Sequence, residues 1–244
     1  MEPLKVEAYF FSNNFKHPEP SHIPDLIGLF SKYELMPQYF EETNVNTGVK
    51  SKRFCFTNPV TNKSIHFFSD KIVVSVSLNP FDVSGADVKS VFESFLDFVD
   101  YSMSACKEHS KDEIKAFRIS FVCNLIVAID GDTGVSRFAR QFNESLPWVP
   151  GNLTEVKLRT GESLGLNSTD EDINVVVSVN DGVVEKSNGQ YTEKQACFLL
   201  HLDLNTKPDN RLPRFDVLLA SSVWREMSVL CNDKAHEVNA FLSS

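Results

Sequence analysis

The chain has 244 residues, 42% of them hydrophobic and 23% charged, close to the average of globular proteins. That length supports one large core or two modest ones, and the composition excludes a disordered tail, a collagen-like rod and a coiled coil. Twenty-four Lys and Arg against 33 Asp and Glu leave a net charge of −9. This balance argues against wholesale binding of nucleic acid or an anionic membrane, because neutralising phosphates needs clustered cations.

The opening residues Met1-Glu-Pro-Leu-Lys-Val carry no basic segment followed by an apolar one, so no secretory signal is read. No apolar run approaches the ~20 residues of a membrane helix, and a cytoplasmic chain is expected. Residues 5–12 (KVEAYFFS) read as a first strand. A Pro-rich loop at 17–21 then leads to a short helix, with Ser21 as cap, Pro24 in the first turn, and Ile23, Leu26, Ile27 and Phe30 at helical spacing. Pro37 bars its continuation.

Residues 52–57 and 64–68 alternate around Asn58-Pro-Val-Thr-Asn, a hairpin signal. Residues 71–78 (KIVVSVSL) form a β-branched strand that stops at Asn79-Pro80. Ser84 followed three residues later by Asp87 resembles a capping box. Val88, Val91, Phe92, Phe95, Leu96, Val99 and Met103 then trace one face of a helix to about residue 107. Residues 116–129 read as a long buried strand that ends in the turn Asp130-Gly-Asp-Thr-Gly134. The order strand, helix, strands, helix, strand suggests helices on an antiparallel sheet, ferredoxin-like in its first half.

Residues 137–142 suggest a short helix, and Leu146-Pro-Trp-Val-Pro-Gly151 is a rigid connector. The expectation is one α+β domain over 1–244, with a subdivision into 1–145 and 146–244. Beyond the connector the chain is strand-rich: 154–159 alternates, 173–179 (INVVVSV) is strongly β, and 196–204 (ACFLLHLDL) follows. Asn180-Asp-Gly-Val carries the signal of a type I′ turn. Arg211-Leu-Pro213 opens a last helix, whose apolar stripe runs from Phe215 to Leu242, ~40 Å.

Three stretches resemble a sporadically distributed family of bacterial proteins of similar length and unassigned function. They are 71–99 (KIVVSVSLNPFDVSGADVKSVFESFLDFV), 117–125 (FRISFVCNL) with its early arginine and later asparagine, and Lys234-Ala-His-Glu-Val-Asn-Ala-Phe241. In that family the middle strand usually runs Arg, Tyr, Asn, whereas here Val122 and Cys123 precede Asn124. The resemblance implies an α+β fold, a bacterial or phage origin and no catalytic residues to carry over. A defence or immunity role follows from the family's sporadic distribution.

Few constellations suggest chemistry. Asp130 and Asp132 offer two carboxylates as metal candidates, but the calcium-loop pattern fails, with Val135 where glycine and Gln141 where glutamate is needed. Asp and Gly are also ordinary turn residues, which is the preferred reading. His201 and Asp203 lie two apart on a strand and share a face, so they are the catalytic candidates as a proton-shuttling pair. A half-exposed strand face is the plainer account, given that no nucleophile accompanies them.

His22 and His66 have no second ligand at a recognisable spacing. The five cysteines are scattered with no C-x-x-C pair and read as core thiols. Basic residues cluster at Lys50-Ser-Lys-Arg53, beside Phe54 and Phe56, and at Lys207, Arg211 and Arg214. Aromatics beside cations can stack bases, yet the net charge opposes a nucleic-acid partner.

The resulting expectation is a non-catalytic binding protein, without cofactor, that contacts a protein partner or a second copy of itself. The alternative is a metal-dependent phosphodiester or nucleotide hydrolase that gathers Asp130, Asp132 and His201.

Overall fold

Period-two alternation builds the central strand. β1 (Glu2–Phe11) turns Val6, Ala8 and Phe10 into the core and leaves Lys5, Glu7, Tyr9 and Phe11 on the opposite face. The computed structural model describes residues 1–78, 87–128, 156–187 and 192–243. The remaining strands are β2 (Met36–Thr43), β3 (Lys50–Asn58), β4 (Lys63–Phe67), β5 (Lys71–Ser77), β6 (Arg118–Ala128), β7 (Lys157–Gly165), β8 (Asp172–Ser187) and β9 (Thr192–Thr206). The nine strands form one sheet in the order β2-β3-β4-β5-β1-β6-β9-β8-β7, antiparallel throughout. With the helices α1 (Ile23–Leu29), α2 (Val88–Ser110) and α3 (Val217–Ser243), the fold is α+β.

The stretch β4-β5-β1-β6, interleaved with α1 and α2, has the strand order of the ferredoxin-like arrangement read from the element sequence. The β2–β3 hairpin extends that unit at one edge, and the β7-β8-β9 meander extends it at the other through β6.

The core lies between the sheet and the helices. A row straight across the sheet runs Phe56, Ile65, Val74, Ala8, Phe121, Leu204 and Val175, all essentially inaccessible. Phe121 takes Phe92 and Phe95 of α2 edge-on, with ring centroids 5.4 and 6.0 Å away. Helix α3 inserts Trp224, whose Nε1 donates to the Ser120 carbonyl at 3.0 Å. The two long helices pack side by side, with Asp100 of α2 accepting from Ser221 at 2.5 Å and pairing with Arg225.

Several local expectations are corrected. Residues 36–43 form a strand that the sequence reading missed. Its burial pattern is mostly exposed and Pro37 sits second, both tolerable only because β2 is an edge strand. The signal for a turn at Asn180-Asp-Gly-Val is overridden, and β8 runs straight through it alongside β9. There the Asp181 carboxylate accepts from the Val156 amide at 2.8 Å, and a Cβ at Gly182 would lie 3.1 Å from the Leu199 side chain, which would have to shift to admit it. The last helix starts at Val217, capped by Asp216, which accepts from Leu219 N at 2.8 Å. Phe215 is instead held in a backbone bridge to Ala116. Asp87, read as the acid of a capping box, is itself the cap of α2 and accepts from Lys89 N. Ser84, the 137–142 helix, the 146–151 connector, Asp130 and Asp132 lie outside the described residues.

All five cysteines are free and buried, as their apolar settings suggested. Burial pushes the Cys106 thiol up to about 12, and it raises Cys55 and Cys231 as well. The expected outcome of a thiol titration is no reaction in the native chain and five reactive thiols after unfolding. Phe121→Ala removes the ring on which α2 rests and is expected to cost about 3–5 kcal/mol. A thermal melt would then fall by roughly 6–20 °C for a chain of this size.

Candidate functional site

The long helices cover one face of the sheet only: α2 packs on β1 and β5, and α3 on β6 and β9. On the opposite face, uncovered by any helix among the described residues, the residues between the core positions come together in rows. One row runs His66, Val73, Tyr9, Ser120, Asn205 and Asn174. The next runs Ser75, Glu7, Val122, Asp203 and Val176, and a third joins Lys5, Asn124, His201 and Ser178.

At the middle of these rows is a slot of about 250 Å³. Small side chains make the floor, Ser120 and Val122. Tyr9 and Phe11 line the β1 side, with rings 5.9 Å apart, and His201 and Asp203 line the β9 side. Arg118 closes one end, its guanidinium 4.9 Å from the Phe11 ring centroid.

The polar groups of the slot form a chain across β6 and β9. Arg118 Nη2 donates to Asn205 Oδ1 at 2.7 Å, and Asn205 Nδ2 donates to Asp203 Oδ1 at 3.1 Å. His201 Nδ1 lies 2.8 Å from Asn124 Oδ1. With the amide oxygen accepting, Nδ1 carries the proton and Nε2 is left as an acceptor. On β1, Tyr9 donates to Glu7 at 3.1 Å and Lys5 pairs with the same carboxylate at 2.8 Å. Burial first, and then the Glu7 charge, hold the Tyr9 phenol well above its ordinary value.

Arg118 is the exceptional charge. The other half-buried arginines are neutralised, Arg53 by Glu42 at 2.8 Å and Arg214 by Glu171 at 2.5 and 2.9 Å. Arg118 pairs with no carboxylate among the described residues, and its Nε is buried without a hydrogen-bond partner. With Nε sealed from outside, an incoming acceptor would meet this guanidinium at its Nη groups, of which Nη2 already donates to Asn205.

The structure brings the sequence candidates His201 and Asp203 onto this face together, as their spacing required. Each takes a different partner, Asn124 and Asn205, and these bonds do not join them as a His–Asp relay. Asp130 and Asp132 lie outside the described residues, so their arrangement with His201 is not placed. Among the described residues no three His, Cys, Asp or Glu side chains are grouped to hold a metal.

Most residues of the basic clusters pair with neighbouring acids, Lys50 with Glu41 at 2.9 Å, Arg53 with Glu42 and Lys207 with Asp172 at 2.6 Å, while Lys52 lies 3.9 Å from the Tyr39 ring centroid and Arg211 5.6 Å from that of Phe117. Tyr9, Arg118, Ser120 and Asn205 were not singled out as site residues from sequence. Arg118 and Asn124 were quoted only as part of a resemblance, and their convergence with His201 depends on strand register.

A second cavity of about 240 Å³ lies between β7, β8 and the end of α3, lined by Leu158, Val177, Val179 and Val238. Its one cation, Lys234, is held by Glu162 at 2.9 Å and Glu237 at 3.0 Å. That self-satisfied rim offers less to a ligand than Arg118 does. No family model matches the chain, and no curated protein shows significant similarity to it. Among the described residues no helix is long and apolar enough to cross a membrane.

Three histidines give the fold a pH dependence. His66 meets Phe40 edge-on at 5.1 Å on the uncovered face, and His109 meets His22 in the same way at 5.0 Å. Burial lowers His17, His66 and His109 from the ordinary 6.5, helped respectively by Arg53, Lys5 and His22. The unfolded chain therefore takes up these protons at a higher pH than the folded one. Stability is full above about pH 6.5 and declines as pH falls below it. Glu42 and Glu226 are lowered despite their burial, by hydrogen bonds from Ser69 and from Asn167 and Ser168, and lose their contribution only below 4.5. The expected urea midpoint is lower at about pH 5.5 than at about pH 7.5, with a shallower dependence in His109→Gln.

Proposed function

We propose that the chain is a cytoplasmic, non-catalytic binding protein whose recognition surface is the uncovered face of the sheet. The observation that carries this reading is Arg118, a half-buried guanidinium without a carboxylate partner among the described residues, in a slot of aromatic and polar side chains. Binding sites of this kind combine an apolar wall with a few convergent polar groups. Five free, buried thiols fit a reducing compartment. The resemblance to a sporadically distributed bacterial family adds a role in defence or immunity to the proposal. A protein partner or a second copy of the chain would dock across the wider rows that surround the slot.

The test compares the tagged wild type with Arg118→Gln after both are shown to melt alike. Material retained from the native lysate is analysed by mass spectrometry for proteins and small molecules. The expected result is a component held by the wild type and reduced at least ~10-fold in the variant, the scale of one lost charged hydrogen bond. Equal retention by both, or retention of nothing by the wild type, overturns the reading.

A further inference from the structure

The slot above Ser120 has a polarity that selects a ligand, and the following rests on the uncovered face being the recognition surface. Arg118 and Asp203 are joined through one amide, Asn205, at 2.7 and 3.1 Å. A donor edge and an acceptor edge therefore sit at a fixed separation along one wall. Arg118 lines the slot with Nη hydrogens beyond the one given to Asn205, its Nε being sealed from the slot, and Asp203 keeps its Oδ2 beside the Oδ1 that accepts from Asn205. A complementary ligand carries acceptors at one end and N–H donors at the other. The Tyr9 and Phe11 rings, stacked on one another on the facing strand, give the slot an aromatic wall that suits a flat, unsaturated ligand. The slot, about 250 Å³, has room for one ring system, and a neighbouring hollow of about 520 Å³ that also touches Arg118, Asp203 and Asn205 leaves space for what the ring carries.

We propose that this slot binds a guanine base, with its ring against Tyr9 and Phe11, its O6 and N7 acceptors at Arg118, and its N1–H and N2–H donors at Asp203. An arginine facing O6 and N7 is the commonest specific contact made to guanine. Adenine reverses the pattern: its exocyclic amine turns a donor toward Arg118, and it has no N1–H or N2–H for Asp203. The net charge of −9 opposes a long phosphate backbone, so the ligand is a free nucleoside or nucleotide rather than an RNA strand.

The full chain is titrated calorimetrically with guanosine monophosphate, adenosine monophosphate and a guanine-containing single-stranded RNA tetranucleotide. The expected result is saturable binding of guanosine monophosphate, with the adenine nucleotide weaker by at least ~10-fold and the tetranucleotide no tighter than the mononucleotide. Arg118→Gln and Asp203→Asn are each expected to weaken binding at least ~10-fold at an unchanged melting temperature.

If either variant melts early, hydrogen exchange on the wild type replaces it. Guanosine monophosphate then slows exchange in β1, β6 and β9, and protection confined to other elements overturns the proposal. No binding, equal binding of the two nucleotides, or variants that bind like the wild type overturns it as well. A tetranucleotide that binds tighter than the mononucleotide replaces the free nucleotide with an RNA strand and also overturns it. Should guanosine monophosphate fail while a lysate component still depends on Arg118, the ligand assignment falls and the wider reading of the face stands.

Discussion

Among the described residues, helices cover the nine-stranded sheet on one side only, and this imposes a rule on every strand. Each apolar residue placed under α2 or α3 puts its two chain neighbours on the side without helices. Val6, Ala8 and Phe10 are fully or nearly fully buried, and Lys5, Glu7, Tyr9 and Phe11 are therefore presented together. The same rule on β6 and β9 produces Arg118, Ser120 and Asn124 from one strand and His201, Asp203 and Asn205 from the other. The polar face is thus a consequence of the core, and its composition is where selection for binding can act without disturbing packing.

Core and slot are also joined directly. Trp224 is almost wholly inaccessible and donates to the carbonyl of Ser120, the residue that floors the slot. Helix α3 therefore holds β6 at the floor of the slot. The helix is anchored at its other contacts by Asp100 of α2 and by Glu226, whose carboxylate accepts from the Asn167 and Ser168 amides of the β7–β8 loop at 2.6 and 2.9 Å. Displacing α3 would disturb the floor of the slot before it disturbed the rim.

Electrostatics separates the slot from the rest of the surface. In the positive clusters that are conspicuous in the sequence, around residues 50–53 and 207–214, Lys50, Arg53, Lys207 and Arg214 each pair with an acid on a neighbouring strand or loop. Arg118 is inconspicuous in the sequence, one cation in an apolar strand. It stands out once folded, because it is half-buried on Phe11 and shares its hydrogen bond with a neutral amide. An ion pair would have satisfied that charge internally; an amide leaves most of its attraction for a ligand.

Elements with a strong local period were legible from the residues alone. The α+β class, β1, the β3–β4 hairpin, β5, α2, β6, β9 and the long final helix follow from periodicity and from where the breakers stand. The buried cysteines follow from their apolar settings. Elements defined by pairing were not legible. β2 is an edge strand with a mostly exposed pattern, and the Asn-Asp-Gly turn signal yields to the ladder between β8 and β9. The site divides in the same way. His201 and Asp203 were readable as sharing a face, because two residues on one strand are related by the pleat. Their meeting with Tyr9, Arg118, Asn124 and Asn205 depends on register between strands as distant as residues 9 and 205, and strand alignment is set by packing across the whole sheet, which no local stretch encodes.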